Sequence, residues 1–271
     1  MRKKKKTAIV GCGAIGSAIA YWLRDGASSW VSSTVLFDTD QKRSLKLSAD
    51  LGSAQSVVNI EEAVNGSDLV IEAAQQSAAA EVLELATRSG KDVMILSIGG
   101  LTGKEYLLEE ASKAGITVML PSGAIGGIDA VKAARIAGID SVVLTTRKSP
   151  DSLSGAPYLE QKGIDPKSIK SETLVFEGTA REAVSAFPKN INVSALLALA
   201  GSGSENTIVR IISSPDYKRN IHEIKVRSKA GDFSFRTENV SFPSNPKTSY
   251  LAALSAMTAL EGYFSGIRIG S

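Results

Sequence analysis

Three glycines near the start of the chain have the spacing of a nucleotide-binding turn. The segment Gly11-Cys12-Gly13-Ala14-Ile15-Gly16 follows an apolar run, Thr7–Val10, and precedes a stretch with helical periodicity. In such a turn the first glycine permits the sharp bend, the second lets the backbone approach a pyrophosphate, and the third lets helix and strand pack closely. The helix N-terminus adds unpaired N–H groups and a positive dipole. We therefore expect residues 11–16 to bind the pyrophosphate of NAD(P): Gly11, Cys12, Gly13, Ala14, Ile15 and Gly16.

An acidic residue ends the next apolar run. Asp38 lies 22 residues after Gly16 (38 − 16), close to the ~20 typical of a ribose-binding acid. Its carboxylate would accept hydrogen bonds from the ribose hydroxyls and repel a 2′-phosphate, which favours NAD over NADP. Lys42 and Arg43 follow closely and could tolerate that phosphate, so NADP stays open. Cys12 is interpreted as a small loop residue rather than a nucleophile.

Small residues end two later apolar runs. Ala73-Ala74 and Ser97 are expected at the edge of the sheet where ligands of this fold bind, and they would leave room for a cofactor. The alternative is that they are only helix caps and tight turns.

The chain contains one histidine, His222. Histidine exchanges protons readily near neutral pH because its unperturbed pKa is ~6.5. His222 lies in Asn220-Ile221-His222-Glu223-Ile224, where a strand begins after a polar loop. It is the candidate proton acceptor. The alternative is a histidine that is only packed or solvated in that strand.

A second cluster places a cation and amides before a helix. Lys189, Asn190 and Asn192 lie within Phe187–Val193. Such groups suit an anionic substrate or the nicotinamide carboxamide, although Asn190 or Asn192 could simply cap the helix. Lys247 is the first residue of the last predicted helix. Lys189 and Lys247 are the candidate cations for substrate carboxylates.

These residues need a scaffold, and the first half of the chain provides alternating strand and helix patterns. We expect strands at 7–10, 34–37, 56–59, 69–73, 93–98 and 116–120, with helices between them. Continuous apolar runs of this kind are typical of a parallel sheet covered on both faces. The predicted fold class is α/β, with a Rossmann-type parallel sheet and a second α/β domain with an open mixed sheet.

The pattern changes after Pro121. We expect a turn at Ser122–Gly127, a helix at Ile128–Ala137 and a strand at Ser141–Arg147, then a long polar segment at 149–169. Further strands are expected at 174–176, 207–212, 221–227 and 233–237, with helices at 192–200 and 247–263. The predicted domains are a dinucleotide-binding domain of residues 1–121, rejoined by 247–271, and a substrate, catalytic and dimerisation domain of residues 122–246.

Composition excludes several classes of protein. The 271 residues carry a net charge of +3, and five of the 31 basic residues lie in the first six positions, so no basic stripe for nucleic acid is expected. No apolar run approaches the ~18 residues that a membrane span needs. One cysteine cannot form an intrachain disulfide or a cysteine-based metal site, and no metal cluster is visible. We expect a cytoplasmic enzyme without metal, nucleic-acid or membrane partners.

The motifs together resemble the L-aspartate dehydrogenase family. The resemblance rests on the glycine turn and on four later segments in the same order: residues 121–127, 187–193, 220–224 and 245–250. It implies NAD(P)-dependent conversion of L-aspartate to iminoaspartate, which gives oxaloacetate and ammonia in water and also feeds quinolinate and hence NAD synthesis. It further implies that His222 is catalytic, that Ala124 and Asn192 contact the cofactor, and that the chain forms a homodimer.

Two other functions stay open from the sequence. One is a related oxidoreductase of the homoserine dehydrogenase or dihydrodipicolinate reductase type. The other is a non-catalytic NAD(H) sensor, which would need no proton acceptor.

Overall fold

The computed structural model describes residues 3–188, 191–243 and 245–270, with the side chains of Pro246 and Lys247 outside that description. The strands are β1 Lys5–Val10, β2 Val31–Phe37, β3 Ala54–Ser56, β4 Leu69–Glu72, β5 Asp92–Ile95, β6 Val118–Met119, β7 Ile139–Lys148, β8 Thr173–Thr179, β9 Thr207–Ser213, β10 Asn220–Ser228, β11 Gly231–Asn239, β12 Ser241–Phe242 and β13 Asn245–Ser249. The α-helices are α1 Ala14–Asp25, α2 Gln41–Leu51, α3 Ile60–Asn65, α4 Gln76–Arg88, α5 Tyr106–Lys113, α6 Ile128–Ala137, α7 Pro157–Lys162, α8 Ala180–Ala186, α9 Asn192–Ala200 and α10 Tyr250–Ser265.

The chain divides into two compact units. The first contains the residues up to Pro121 together with Ala253–Ile269, and the second contains Ser122–Ala252. The chain therefore returns to the first unit at Ala253, a few residues later than the position 247 expected from the sequence.

The first unit is built on a parallel sheet in the order β3-β2-β1-β4-β5-β6. This is the strand order of a Rossmann fold, in which the direction of winding reverses between β1 and β4. One face of the sheet packs against α1, α2 and α10, and the other against α4 and α5. Ile9, Ile71 and Met94 are fully buried, as expected for strands covered on both faces.

The second unit is built on a mixed sheet in the order β11-β10-β7-β9-β8. β7 pairs parallel with β9 and antiparallel with β10, while β11 and β8 complete antiparallel pairs at the edges. Side chains alternate along β7, so that Leu144, Thr146 and Lys148 are buried on one face while Thr145 and Arg147 lie half-buried on the other. The predicted fold class, a Rossmann-type domain plus an α/β domain with an open mixed sheet, is confirmed.

Several element boundaries expected from the sequence were wrong. The short strand expected at 56–59 is Ala54–Ser56, because Asn59 caps α3 by accepting a hydrogen bond from the Glu61 N–H at 2.8 Å. The last helix begins at Tyr250 rather than Lys247, since Asn245–Ser249 pairs as β13 with β12. Helix α8 was not expected, and the polar segment after β7 contains α7.

No helix within the described ranges is long and apolar enough to cross a bilayer. Those ranges also contain no group of three or more His, Cys, Asp or Glu side chains placed to hold a metal ion.

Candidate active site

The glycine turn joins β1 to α1 at the carboxyl edge of the parallel sheet. Gly11 has φ +101°, and a Cβ there would lie 2.6 Å from the Ala73 carbonyl oxygen. A Cβ on Gly16 would lie 1.9 Å from the Gly11 carbonyl oxygen. A Cβ on Gly13, in contrast, would meet no protein atom within 4 Å. Gly11 and Gly16 are therefore required by the fold, whereas Gly13 leaves open space at the N-terminus of α1.

Asp38 holds the glycine turn through its carboxylate. One oxygen, Oδ2, accepts a hydrogen bond from the Cys12 N–H at 2.7 Å, and the other, Oδ1, accepts one from the Asp40 N–H at 2.8 Å. A carboxylate can accept about four hydrogen bonds. Asp38, which is half-buried, therefore keeps acceptor capacity for hydroxyl groups beside the turn.

Cys12 is not a nucleophile in this environment. Its side chain is buried, and burial, with the nearby charge of Asp38, raises the pKa of the Cys12 thiol to about 12. A thiol that stays protonated is unreactive. Its backbone N–H, which Asp38 binds, is the part of Cys12 that shapes the turn.

A buried acid joins the ends of β4 and β5. Glu72 is fully buried, and its carboxylate accepts hydrogen bonds from the N–H groups of Ala74 at 2.8 Å, Leu96 at 3.1 Å and Ser97 at 2.8 Å. The Ser97 hydroxyl donates to the Ala74 carbonyl at 3.2 Å. Burial raises the pKa of Glu72, an effect that these N–H donors oppose. Ala73, Ala74 and Ser97 are thus held at one edge, next to Gly11.

This edge fits a dinucleotide. The N-terminus of α1 carries no acidic residue in its first turn, so its dipole is not opposed there. The open space at Gly13, the half-buried acid Asp38 and the small residues Ala73 and Ala74 lie around the same strand ends. Ligands of this fold bind at that point, where the sheet changes winding direction.

In the second unit, His222 lies on β10 and pairs across the sheet with Thr146 on β7. The imidazole is 6% exposed, and its Nδ1 lies 2.9 Å from the Thr146 hydroxyl oxygen. Burial, with a smaller effect from the charge of Lys148, lowers the pKa of His222 to about 3. The ring is therefore neutral at physiological pH, and Thr146 fixes its orientation.

Lys148 follows Thr146 on the same face of β7 and is 5% exposed. Burial lowers the pKa of its ammonium group to about 8. The two residues line a small cavity of about 10 Å³ together with Phe187, Ile191 and Ser194, which is room for about one water molecule. Sequence reasoning missed Lys148. The signal available in the sequence was the two-residue spacing of Leu144, Thr146 and Lys148, which places the charged side chain on the same, buried face of the strand as the other two.

Ala124 lies in the turn before α6 and is buried. Its carbonyl oxygen accepts hydrogen bonds from the Thr237 hydroxyl at 2.9 Å and the Asn239 amide at 3.0 Å. The turn is held against β11 at Gly127 as well, where φ is +80° and a Cβ would lie 2.3 Å from the Phe235 ring. Ala124 therefore has a fixed backbone position.

Asn192 is exposed and is the first residue of α9, whose N-cap is Ile191. Asn192 therefore does not occupy the N-cap position of α9. Lys189 and Asn190 lie outside the described residues, as does the side chain of Lys247.

Sequence reasoning also missed Glu72. The signal in the sequence was an acidic residue at the end of the otherwise apolar strand Leu69–Glu72.

Family models cover both units. Residues 11–121 match the model described as homoserine dehydrogenase, NAD binding domain, and residues 129–263 match the model described as aspartate dehydrogenase, C-terminal. The first match supports a nicotinamide dinucleotide cofactor.

Relatives match over nearly the whole chain. The L-aspartate dehydrogenase of Methanocella arvoryzae is 45% identical over 97% of this chain and 98% of its own length. Those of Methanosarcina acetivorans and Bradyrhizobium diazoefficiens are 44% and 36% identical over 98% of this chain, which is 99% and 94% of their own lengths.

Solved structures share the fold. Aspartate dehydrogenase from Thermotoga maritima superposes with a TM-score of 0.79 at 25% identity and covers 99% of this chain and 100% of its own. GenD2 from gentamicin A biosynthesis, solved in complex with NAD, is similar in fold alone, with a TM-score of 0.54 at 14% identity over 99% and 89% of the two chains. The identities, the coverage and the family model of the second unit agree, and this chain belongs to the L-aspartate dehydrogenase family.

Proposed function

We propose that this enzyme catalyses the reversible, NAD(P)-dependent oxidative deamination of L-aspartate to iminoaspartate, which water converts to oxaloacetate and ammonia. The observation that carries the proposal is the buried pair His222–Thr146, joined at 2.9 Å beside the buried Lys148. A neutral proton acceptor and a cation on one face of a sheet suit an amino acid that carries negative charge. The iminoaspartate formed would feed quinolinate and NAD synthesis.

The first unit is proposed to bind the dinucleotide, with NAD preferred over NADP. The turn from Gly11 to Gly16 would hold the pyrophosphate, and Asp38 would accept hydrogen bonds from the ribose hydroxyls while repelling a 2′-phosphate. Ala73, Ala74 and Ser97 would border the cofactor, and Ala124 and Asn192 would contact it. When bound, the nicotinamide supplies the acceptor for the hydride that leaves the substrate Cα.

His222 is proposed to take the proton. Its Nδ1 faces the Thr146 hydroxyl, so Nε2 is the nitrogen that exchanges protons. With Nδ1–H donating to the Thr146 oxygen, Nε2 keeps its lone pair and accepts a proton from the substrate ammonium group. The nitrogen lone pair thus freed forms the C=N bond as the hydride leaves Cα. After His222 has released that proton to solvent, its Nε2 can take a proton from the water that attacks the imine and pass it to the departing ammonia.

Substrate charge would improve His222 as a base. A pKa of about 3 keeps the imidazole neutral but makes it a weak proton acceptor. Burial and the charge of Lys148 cause that low value. The two carboxylates of aspartate would offset the positive charge and stabilise an imidazolium, which raises the pKa of His222 towards neutrality when substrate binds.

Lys189, Asn190 and Lys247 remain predicted substrate-binding residues. The chain is also proposed to be a homodimer. Support comes from the sheet face of the second unit opposite His222, where Val143, Thr145 and Arg147 are only half-buried. Light scattering at micromolar concentration tests the dimer, and a monomer would contradict it.

Initial rates test the proposed activity. Purified enzyme is assayed with L-aspartate and with L-homoserine, each with NAD and with NADP, by following reduction of the nicotinamide. We expect aspartate-dependent reduction, faster with NAD, and none with homoserine. Turnover of homoserine alone would assign the enzyme to the related oxidoreductase type. Binding of NADH without turnover of either substrate would indicate a sensor.

A further inference from the structure

We infer that Thr237 and Asn239 are positioning residues for the nicotinamide end of the cofactor, because they hold the turn Ser122–Gly127 beside His222. Both residues lie on β11, where Thr237 is half-buried and Asn239 is 5% exposed. The inference rests on the proposed function and adds to it two residues that lie outside the motifs of the sequence.

The register of the sheet places the turn next to the proton acceptor. Thr237 on β11 pairs directly with His222 on β10. Residues directly opposite each other in an antiparallel pair share a face, with Cβ atoms about 4.5–5.5 Å apart. The Thr237 hydroxyl donates a hydrogen bond to the Ala124 carbonyl oxygen at 2.9 Å. His222 therefore lies between Thr146, which orients its ring, and Thr237, which binds the turn.

The turn is anchored to β11 at two of its residues. The Asn239 amide also donates to the Ala124 carbonyl oxygen, at 3.0 Å, and donates to the Thr237 hydroxyl oxygen at 3.4 Å. A carbonyl oxygen has two lone pairs, so the Ala124 carbonyl is fully engaged and a ligand must meet another group of the turn. Gly127 packs against the Phe235 ring, to which a Cβ would come within 2.3 Å.

Between these anchors the turn has open space at Gly126. A Cβ on Gly126 would meet no protein atom within 4 Å, and the backbone there is not left-handed. Neither packing nor backbone conformation therefore requires a glycine at this position. The same holds for Gly13, in the turn proposed to hold the pyrophosphate. A glycine of this kind lets a ligand approach the backbone closely.

The chemistry of the proposed reaction makes the nicotinamide that ligand. The proton leaves the substrate nitrogen and the hydride leaves the adjacent Cα, so the proton acceptor and the hydride acceptor must flank the same two atoms. Reacting atoms lie about 3–3.5 Å apart in a productive complex. The nicotinamide must then lie close to the substrate that His222 meets, which brings it to the turn bound by Thr237. Its carboxamide offers an oxygen acceptor and an NH2 donor to the backbone of the turn.

The test compares NADH with ADP-ribose, which shares the pyrophosphate and the adenosine but lacks the nicotinamide. Thr237→Val keeps the shape of the side chain without its hydroxyl, and Thr237→Ser keeps the hydroxyl. Isothermal titration gives the dissociation constants of both ligands. In Thr237→Val we expect the NADH constant to rise about three- to tenfold, as for the loss of one hydrogen bond. The ADP-ribose constant should change less than about twofold, and Thr237→Ser should bind NADH within about twofold of the wild type.

The matched control is Ser234→Ala, which removes a hydroxyl from the exposed face of the same strand and should change neither constant. Gly126→Ala adds a methyl group to the open space, so it should weaken NADH and leave ADP-ribose binding and the melting temperature unchanged. Equal weakening of NADH and ADP-ribose in Thr237→Val would overturn the inference, and so would unchanged NADH binding in Thr237→Val or Gly126→Ala. If Thr237→Val does not fold, Asn239→Leu is judged by the same criteria. Failure of both to fold would make the two side chains structural requirements and would also overturn the inference.

Turnover is measured separately from cofactor binding. A wild type that does not oxidise L-aspartate but binds NADH through Thr237 would contradict the proposed function and leave the positioning role standing. A wild type that oxidises L-aspartate while Thr237→Val binds NADH normally would contradict the positioning role alone. A raised KM for L-aspartate with unchanged NADH binding in Thr237→Val would place the substrate at the turn instead and would overturn the inference. A wild type that binds no NADH would overturn both.

Discussion

The buried charge of Lys148 should lower the stability of the enzyme, and its removal should be measurable. Burial lowers the pKa of Lys148 from 10.5 to about 8. Each pKa unit corresponds to ~1.36 kcal/mol, so a shift of about 2.5 units corresponds to ~3 kcal/mol. The Lys148→Met variant should therefore unfold with a free energy up to ~3 kcal/mol greater than that of the wild type at pH 7.

The pH dependence follows from the direction of the shift. Below pH 8 the lysine is protonated in both states, and the folded state bears the full cost of the buried charge. Between about pH 8 and 10.5 the unfolded chain binds a proton that the folded chain does not, so wild-type stability rises with pH. The advantage of the methionine variant should fall from ~3 kcal/mol at pH 7 to ~1 kcal/mol at pH 10.

Chemical denaturation of both proteins at the two pH values is the assay. Lys225→Met is the control, because an exposed substitution usually changes stability by less than about 0.5 kcal/mol. If Lys148→Met is no more stable than the wild type at pH 7, or if the difference does not depend on pH, then the Lys148 ammonium group is not desolvated and the reasoning fails.

Three further results are expected. Asp38→Ala should raise KM for NAD more than KM for NADP, because it removes both the ribose acceptor and the repulsion of a 2′-phosphate; an unchanged ratio of the two KM values would place Asp38 away from the ribose. Gly13→Ala should keep the wild-type melting temperature and raise KM for NAD, whereas Gly16→Ala should lower the melting temperature, because a Cβ on residue 16 would lie 1.9 Å from the Gly11 carbonyl oxygen. Equal melting temperatures of the two variants would refute this. Glu72→Gln replaces a carboxylate acceptor with an amide whose NH2 group faces buried N–H groups, so it should lower the free energy of unfolding by about 1–3 kcal/mol and raise KM for NAD. If denaturation and kinetics show neither change, the strand ends do not need the carboxylate.

The first unit was predictable because its signals are local. The apolar run before Gly11, the glycine spacing and Asp38 at the end of the next strand lie within a short stretch of sequence. The three glycines differ in what a side chain would meet. A Cβ on Gly11 or Gly16 would clash with backbone atoms of the protein, whereas a Cβ on Gly13 would point into open space. Local patterns of this kind fix turn and strand type with little help from distant residues.

The second unit was less predictable because its site depends on register. His222 and Thr146 are 76 residues apart and meet only because β10 and β7 pair in one specific alignment. Lys148 and Glu72 were overlooked because charged residues at strand ends are usually exposed. The start of α10 was misplaced because β13 pairs with β12, a contact that helical periodicity alone does not show.

Replacing His222 with asparagine tests the central claim, that His222 is the proton acceptor for aspartate oxidation. Asparagine keeps a polar group of similar reach and lacks a useful pKa. We measure kcat with L-aspartate and NAD, with the melting temperature and the NADH dissociation constant as controls. The account predicts a fall in kcat of about 10²–10⁴-fold with both controls unchanged. A kcat within about threefold of the wild type, which is only ~0.65 kcal/mol of barrier, would contradict it.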